Sequence, residues 1–376
     1  MRLKEILDGL YGKDTLRIAG MMSGTSFDGI DVAIVDVKGT YTNITYGVVE
    51  LCFLAYPKSL KGKIRSFIER PNMKIMAELD IEVAKEYVKA LKSCKSYDSV
   101  EIVSMHGQTI WHVPRKMSLQ IGSPDIVSVE TGKIVVSDFR RKDIAVGGEG
   151  APLVPYVDFC IFSKKKEPIA LVNIGGISNV TVLSQNIDDL LAFDMGPGNA
   201  LLDFTVRKYF RLDYDEGGKI AKKGKVHHDV AKDVLNGDEY MVKPPPKSTG
   251  KEYYNESFIK RFDIDDPYDL VATLSYYTAL SIRSSFERFI LPKFEVKKAY
   301  FSGGGTKNDF MMAMIKKELE EIGVKVFVFS EKFSDFKEAI WFALLGNEFF
   351  KGKFSNAPAV TGARKKVLLG RLSTPF

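Results

Sequence analysis

A length of 376 residues exceeds what one hydrophobic core comfortably fills, and two domains are the expectation. Hydrophobic content of 45% and charged content of 27% are those of a soluble globular protein, and no apolar run approaches the roughly 20 residues that cross a bilayer. The net charge of +6 is modest and the lysines are scattered, apart from Lys164–Lys166 and Lys222–Lys225, so solvated faces are expected and a nucleic-acid surface is not.

The start, Met1-Arg2-Leu3-Lys4-Glu5, lacks a signal-peptide core, which makes a cytoplasmic location the default and a membrane partner unexpected. Cys52, Cys94 and Cys160 stand far apart with no Cys-x-x-Cys. That spacing predicts reduced thiols and argues against a disulfide frame or a zinc site.

In chain order, Leu16–Met21 and Val32–Val37 read as two strands of a hairpin. The stretch joining them, Met22-Ser23-Gly24-Thr25-Ser26-Phe27-Asp28-Gly29-Ile30-Asp31, is more polar than a hairpin turn requires. Such a turn can aim backbone N–H groups and hydroxyls at a phosphate, with Asp28 and Asp31 beside a hydrated Mg²⁺. It reads equally as a decorated turn, because loops collect these residue types anyway. Strand-like Val48–Leu54 follows, then helical periodicity over Leu60–Glu69 and Lys74–Lys95, then strand-like Ile102–Met105 and Ile134–Ser137.

Gly147-Gly148-Glu149-Gly150, followed by Pro152 and Pro155, reads as a flexible segment and marks a lobe boundary. The lobes expected are 1–146, which the C-terminal segment 357–376 can rejoin, and 147–376. Beyond the boundary, Ile169–Ile174, the turn Gly175-Gly176-Ile177-Ser178 and Asn179–Leu183 repeat the plan of the opening hairpin. The repeat lies about 150 residues on, a typical domain length. Duplication into two similar lobes explains it, and so does chance, since Gly turns between strands are common. Helices are then expected over Leu201–Tyr209, Leu270–Phe289, Asp309–Glu321 and Phe336–Phe350, with strands at Ala299–Ser302 and Lys325–Val328. This alternation points to open α/β sheets covered by helices.

Three positions carry candidate chemistry. Asp194, in Phe193-Asp194-Met195-Gly196-Pro197-Gly198-Asn199, ends a short apolar run where α/β folds place their sites, or is a turn or capping acid. Gly303-Gly304-Gly305, between a strand and a helix, lets a ligand such as adenine and its α-phosphate touch backbone, or makes a tight turn. Glu338 starts an almost wholly apolar helix that would draw it inside, or it is a first-turn acid after a Ser334 cap. A Gly-x4-Gly-Lys-Ser/Thr loop is missing, because Lys247-Ser248-Thr249-Gly250-Lys251-Glu252 lacks its ending. No dinucleotide Gly-x-Gly-x-x-Gly follows the first strand and no Gly-x-Ser-x-Gly elbow occurs.

Taken together the motifs resemble one family nearly end to end. They are Met22–Asp31, Ser104-Met-His106-Gly-Gln108-Thr-Ile110, Gln120-Ile-Gly-Ser-Pro124, Asp138-Phe-Arg140-Arg141-Lys-Asp143, Gly147–Pro155, Asn173-Ile-Gly-Gly176, Phe193–Asn199, Pro246-Lys-Ser-Thr-Gly250 and Ser302–Gly305. The sequence resembles the anhydro-N-acetylmuramic acid kinases of the sugar kinase, Hsp70 and actin superfamily.

The resemblance implies an α/β protein of two similar lobes with the actin-like, ribonuclease H-like ATPase fold and a central cleft. It implies ATP and Mg²⁺ as cofactors, a small-molecule sugar as partner, and the homodimer that many relatives form. The implied reaction opens 1,6-anhydro-N-acetylmuramic acid with water and phosphorylates O6, giving N-acetylmuramic acid 6-phosphate in cell-wall recycling. The alternative is an ordinary sugar or acyl kinase of the same fold acting on a free hydroxyl. By resemblance Asp194 is the catalytic base and Glu338 an acid near the water. Gly24, Thr25, Ser26, Phe27, Asp28, Gly29, Ile30 and Asp31 hold the phosphates, with Asp28 on the metal. Gly175, Gly176, Gly303, Gly304 and Gly305 complete the nucleotide site. His106, Gln108, Arg140 and Arg141 are the sugar contacts, the arginines suiting a lactyl carboxylate. Trp111 is either an apolar wall or core packing.

Overall fold

The structure is a computed structural model and describes residues 3–163 and 167–376; the run Lys164–Lys166 and the first two residues lie outside it. The strands are β1 (Thr15–Ser23), β2 (Gly29–Lys38), β3 (Thr45–Ala55), β4 (Ile102–Val113), β5 (Met117–Ile121), β6 (Ile134–Ser137), β7 (Ile169–Ile174), β8 (Ile177–Leu183), β9 (Leu191–Pro197), β10 (Lys298–Ser302), β11 (Lys325–Val328) and β12 (Arg371–Ser373). They form two sheets, and the chain divides into two compact units, Met1–Lys164 with Asp335–Phe376, and Lys165–Ser334.

The first sheet runs β12-β6-β4-β1-β2-β3, with β5 paired to β4. β1 pairs antiparallel with β2, and β2 with β3, while β1, β4 and β6 are parallel neighbours. The second sheet runs β11-β10-β7-β8-β9. There β7 pairs antiparallel with β8, and β8 with β9, while β7, β10 and β11 are parallel. With β5 and the terminal β12 of the first sheet left out, both sheets have the order 3-2-1-4-5 when numbered within each unit, with the same strand directions. This is the ribonuclease H-like arrangement of actin-like ATPases, built twice, and it supports duplication over chance.

Local chemistry explains the elements. β1 and β2 are buried nearly throughout because helices cover both faces of their sheet, whereas the edge strand β3 is mostly accessible. The helix Met73–Lys92 starts where the Asn72 side chain accepts from the N–H groups of Lys74 and Ile75. The helix Pro267–Ser285 starts at Asp266, whose carboxylate accepts from Tyr268 and Asp269. With Leu270, Val271, Ala272 and Leu274 buried, it forms the spine of the second unit's core.

The helix Glu331–Phe350 begins earlier than the expected Phe336, and its residues from Asp335 onward belong to the first unit. Ser334 therefore lies inside this helix, so the capping reading of Ser334 and Glu338 is overturned. The helix crosses β1 with almost no space between. A Cβ placed on Gly20 would stand 1.9 Å from the Ala339 carbonyl oxygen and 2.5 Å from the Ala343 nitrogen. One on Gly346 would stand 2.6 Å from the Ser104 Cβ, and the Ser104 hydroxyl donates to the Phe342 carbonyl.

Other expectations need correction. Cys52 and Cys94 are joined as a disulfide with Cα atoms 6.1 Å apart, because β3 runs beside the end of the helix Met73–Lys92. Sequence separation hid that proximity; Cys160 is buried and free. The segment Gly147–Gly150 is hydrogen-bonded at every residue rather than flexible. Its N–H groups donate to Ile144 O, Asp143 O, Thr361 O and an Asp143 carboxylate oxygen. It lies within the first compact unit, which continues to Lys164, and the C-terminal return begins at Asp335 rather than at 357. Lys222, Lys223 and Lys225 are exposed, as a solvated face requires. No helix among the described residues is long and apolar enough to cross a membrane.

Gly20→Ala should destabilise the protein by at least about 3 kcal/mol, because backbone on both sides must move. Gly62→Ala, in the middle of the helix Lys58–Glu69 with nothing within 4 Å of the added Cβ, should instead stabilise by roughly 0.5–1 kcal/mol. Urea unfolding of both variants checks the contrast.

Candidate active site

In the first unit the β1–β2 hairpin is closed by the Met22↔Asp31 pair, leaving Gly24–Asp28 as a protruding turn. Thr25, Ser26 and Asp28 are exposed there, and Phe27 adopts a left-handed φ of 60°. The turn is held from β4 by Gln108, whose amide donates to Gly24 O at 3.1 Å. Gln108 itself is fully buried, and its Oε1 lacks a partner. The Asp28 carboxylate lies 3.8 Å from Lys61 Nζ.

Asp31 sits on β2 facing the helix Glu331–Phe350. Burial, reinforced by the charges of Glu338, Asp335 and Asp28, pushes its carboxyl up to about 7. Glu338 is not drawn inside as expected. It stays within reach of solvent, in a recess whose desolvation raises its carboxyl against the pull of Lys337 and Arg140. Lys337 goes inside instead, pairing with Asp158 at 2.9 Å, and the same carboxylate oxygen accepts from Trp341 Nε1 at 2.8 Å. The helical period decides this, since Lys337 shares the buried face with Ile340, Trp341 and Leu344.

Arg140 and His106 make one unit of structure. Arg140 Nε donates to His106 Nε2 at 2.8 Å, and Nη1 donates to Gly150 O at 2.9 Å. His106 Nδ1 faces Gly107 O at 2.8 Å. Burial and the adjacent guanidinium hold His106 far below its ordinary value, so it accepts as a neutral ring. Burial also brings Arg140 down to about 10, with Glu338 opposing. No carboxylate among the described residues lies within ion-pair distance of Arg140. Arg141 differs: it is exposed and faces Asp138 at 3.6 Å. Trp111 is 53% exposed on β4, which excludes core packing.

In the second unit Asp194 lies on β9, paired with Asn179 of β8. It is half-buried, and burial lifts its carboxyl to about 6. The Thr249 N–H donates to its Oδ2 at 2.9 Å. Its own N–H donates to Lys247 O at 3.2 Å, and Tyr240 OH donates to its carbonyl at 2.7 Å. It therefore does not cap the helix Ala200–Phe210. The loop carrying Lys247 and Thr249 had no assigned role in the sequence; the polar cluster Lys247–Glu252 was its signal.

The glycine turns separate by function. The carbonyls of Gly175 and Gly176 accept from Gly198, Asn199 and Ala200, fixing the turn to the head of the next helix. Gly303 has φ of 92°, and a Cβ there would meet Ile174 O at 2.6 Å; one on Gly305 would meet Ile174 Cγ2 at 2.2 Å. Packing against β7 explains both. Gly304 faces open space, with nothing within 4 Å, and is the glycine of the three with room for a ligand.

A raised Asp31 has a sign that can be checked. The fold favours its protonated form, so it costs stability as pH rises from about 4 to about 7. Relative to wild type, Asp31→Asn should therefore gain stability at pH 8 compared with pH 5. Urea midpoints of both proteins at the two pH values test this; an equal difference at both would contradict the geometry.

Comparison with known proteins gives this arrangement a family. The sequence matches the family described as anhydro-N-acetylmuramic acid kinase over residues 16–375. It is 39% identical over 377 residues to the anhydro-N-acetylmuramic acid kinase of Clostridioides difficile strain 630, covering 95% of this chain and 98% of that protein. It is 36% identical over 393 residues to the protein of that name from Caldanaerobacter subterraneus subsp. tengcongensis, covering 97% and 98%. With sequence and fold in agreement, the chain belongs to the anhydro-N-acetylmuramic acid kinase family and is a kinase.

Proposed function

We propose that this kinase uses ATP and water to convert 1,6-anhydro-N-acetylmuramic acid into N-acetylmuramic acid 6-phosphate and ADP, in the cytoplasm, during recycling of the cell wall. The observation that carries the reading is Asp194: a carboxylate midway along β9 rather than at the expected strand end, lifted by burial to about 6, with one oxygen held by the Thr249 N–H. Such a group is ionised at neutral pH yet more basic than an ordinary aspartate, as a general base for water requires. Family membership at 39% identity supports it independently.

The substrate dictates the steps. O6 is bridged to C1 and carries no proton to remove. Water attacks C1 and gives its proton to Asp194. The C1–O6 bond breaks, O6 bonds to the γ-phosphorus, and ADP leaves. Positive charge at C1 resembles a glycosidase transition state, but the phosphoryl group takes the leaving oxygen, so one basic carboxylate suffices. Attack opposite O6 gives the inverted anomer. Glu338, solvent-reached and raised, is the first unit's candidate for a supporting acid in this reading.

Other residues take supporting parts in this reading. The deep-set guanidinium of Arg140, without a carboxylate partner, suits the lactyl carboxylate better than exposed Arg141 does. His106, neutral and bonded to Arg140, orients it. Gln108 acts by holding the Gly24–Asp31 turn. That turn would cradle phosphate, and in the second unit Gly175, Gly176 and Gly304 are the candidates for nucleotide contact. Asp28 and Asp31 fit Mg²⁺, which needs only one or two carboxylates beside phosphate and water. The mutual repulsion of Asp31, Glu338, Asp335 and Asp28 is what a cation relieves. When bound, Mg²⁺ would neutralise phosphate charge.

Wild type and Asp194→Asn are compared with Mg-ATP and the anhydro sugar in ¹⁸O water. Expected are sugar-dependent ADP, ¹⁸O at C1 before anomeric exchange, and a variant slower by at least about 100-fold. Sugar-dependent ADP without label at C1 overturns the ring-opening step, and none at all overturns the substrate.

Arg140→Ala should raise KM for the anhydro sugar at least about 10-fold and erase its preference over 1,6-anhydro-N-acetylglucosamine, which lacks the lactyl group. Arg141→Ala should change both by less than about two-fold.

A further inference from the structure

The loop that clamps Asp194 is itself anchored by an ammonium in an aromatic box. Lys247 Nζ lies 4.5 Å from the ring centre of Tyr240, 4.6 Å from that of Phe289 and 5.7 Å from that of Phe193. It also donates to Tyr240 O at 3.1 Å. Among the described residues no carboxylate lies within ion-pair distance of it, so ring faces and a carbonyl replace the water it has lost. The main chain of Lys247 accepts the Asp194 N–H, and two residues on, the Thr249 N–H reaches the Asp194 carboxylate. Tyr240 serves both groups, giving its ring to the lysine and its hydroxyl to the Asp194 carbonyl.

We infer that Lys247 is a positioning residue for Asp194: the boxed ammonium fixes the 247–249 loop against Asp194 and supplies the local positive charge that keeps the carboxylate ionised. The inference rests on the reading of Asp194 as the base.

A solvated lysine would do neither job. In water its charge would be screened and its side chain would leave the loop free to move. In the box the charge is felt, and it opposes the burial that raises Asp194. Burial also costs the lysine, bringing it down to about 8. The charges facing it are Asp238, Arg288, Asp194 and Lys243. Asp238 is already taken up by the hydroxyls of Tyr253, Tyr254 and Tyr277. Besides Lys247, Asp194 faces Glu252, which pushes its carboxyl further up, and Tyr240. Lys247 is thus the cation that lowers the Asp194 carboxyl.

The test reads the Asp194 midpoint in two ways. One is the acid limb of kcat/KM against pH with the anhydro sugar. The other is a ¹³C carboxyl titration of the free enzyme, with the Asp194 resonance identified by its loss in Asp194→Asn. Lys247→Met keeps the apolar stem and removes the charge. It should raise both midpoints by about one pH unit, and lower kcat about 10-fold with KM within about two-fold. Lys247→Arg keeps the charge and should hold the midpoint within about 0.3 pH unit of wild type. Phe289→Leu opens one wall of the box and should raise the midpoint by less than Lys247→Met does, which decides the matter if the methionine variant does not fold. A midpoint unmoved in Lys247→Met and Phe289→Leu overturns the inference. Undiminished turnover by Asp194→Asn overturns the base assignment instead, and the carboxyl titration still decides whether Lys247 tunes Asp194.

Discussion

The first unit depends on the contact between one helix and one strand. Gly20 and Gly346 remove the side chains that would hold the helix Glu331–Phe350 off its sheet, so helix backbone meets strand backbone at Gly20 and the Ser104 side chain of β4 fits against Gly346. At that spacing the helix has no freedom to roll. Its phase is fixed, and with it the direction of each side chain in its early turns. Lys337 is driven inward onto Asp158, while Glu338 is left in a recess within reach of Asp31 and Arg140. A looser crossing would allow several phases and no defined set of charges.

Charged groups that make no ion-pair contact recur in both candidate sites. In the first unit Asp31 is pushed toward neutrality by burial and by other acids, and Arg140 is held deep with a neutral histidine and a carbonyl as its partners. In the second, Asp194 is raised by burial and Lys247 is boxed by rings. Each arrangement costs stability that a salt bridge would have recovered. Perturbed ionisation of this kind clusters at functional sites, and structural networks of charges also produce it.

Much of the fold was legible from local pattern. The two hairpins, the strands at Ile134–Ser137 and Lys325–Val328 and the helix Asp309–Glu321 stand where apolar periodicity put them. β5 and β12 were not read, and the three residues of β12 are too few for a period to show. Gly147–Gly150 has the composition of a flexible loop, yet Ile144, Asp143 and Thr361 hold it; composition does not show the local partners, and nothing local reveals Thr361, more than two hundred residues away. The Cys52–Cys94 pairing was hidden because the two residues, 42 apart in sequence, are brought together only by packing of the helix Met73–Lys92 beside β3. Among the glycines, composition could not separate Gly303 and Gly305, which packing against Ile174 requires, from Gly304, which faces open space.

The sequence by itself determined the family, the alternation of strands and helices, and the duplicated hairpin plan. These rest on residue identity and short spacing, which a chain carries whether folded or not. Only the tertiary structure decided which of two adjacent arginines is deep-set, that Lys337 and not Glu338 turns inward, and that Lys247 stands in an aromatic box beside Asp194. Ionisation and burial are set by neighbours remote in sequence, and those neighbours exist only once the chain has packed.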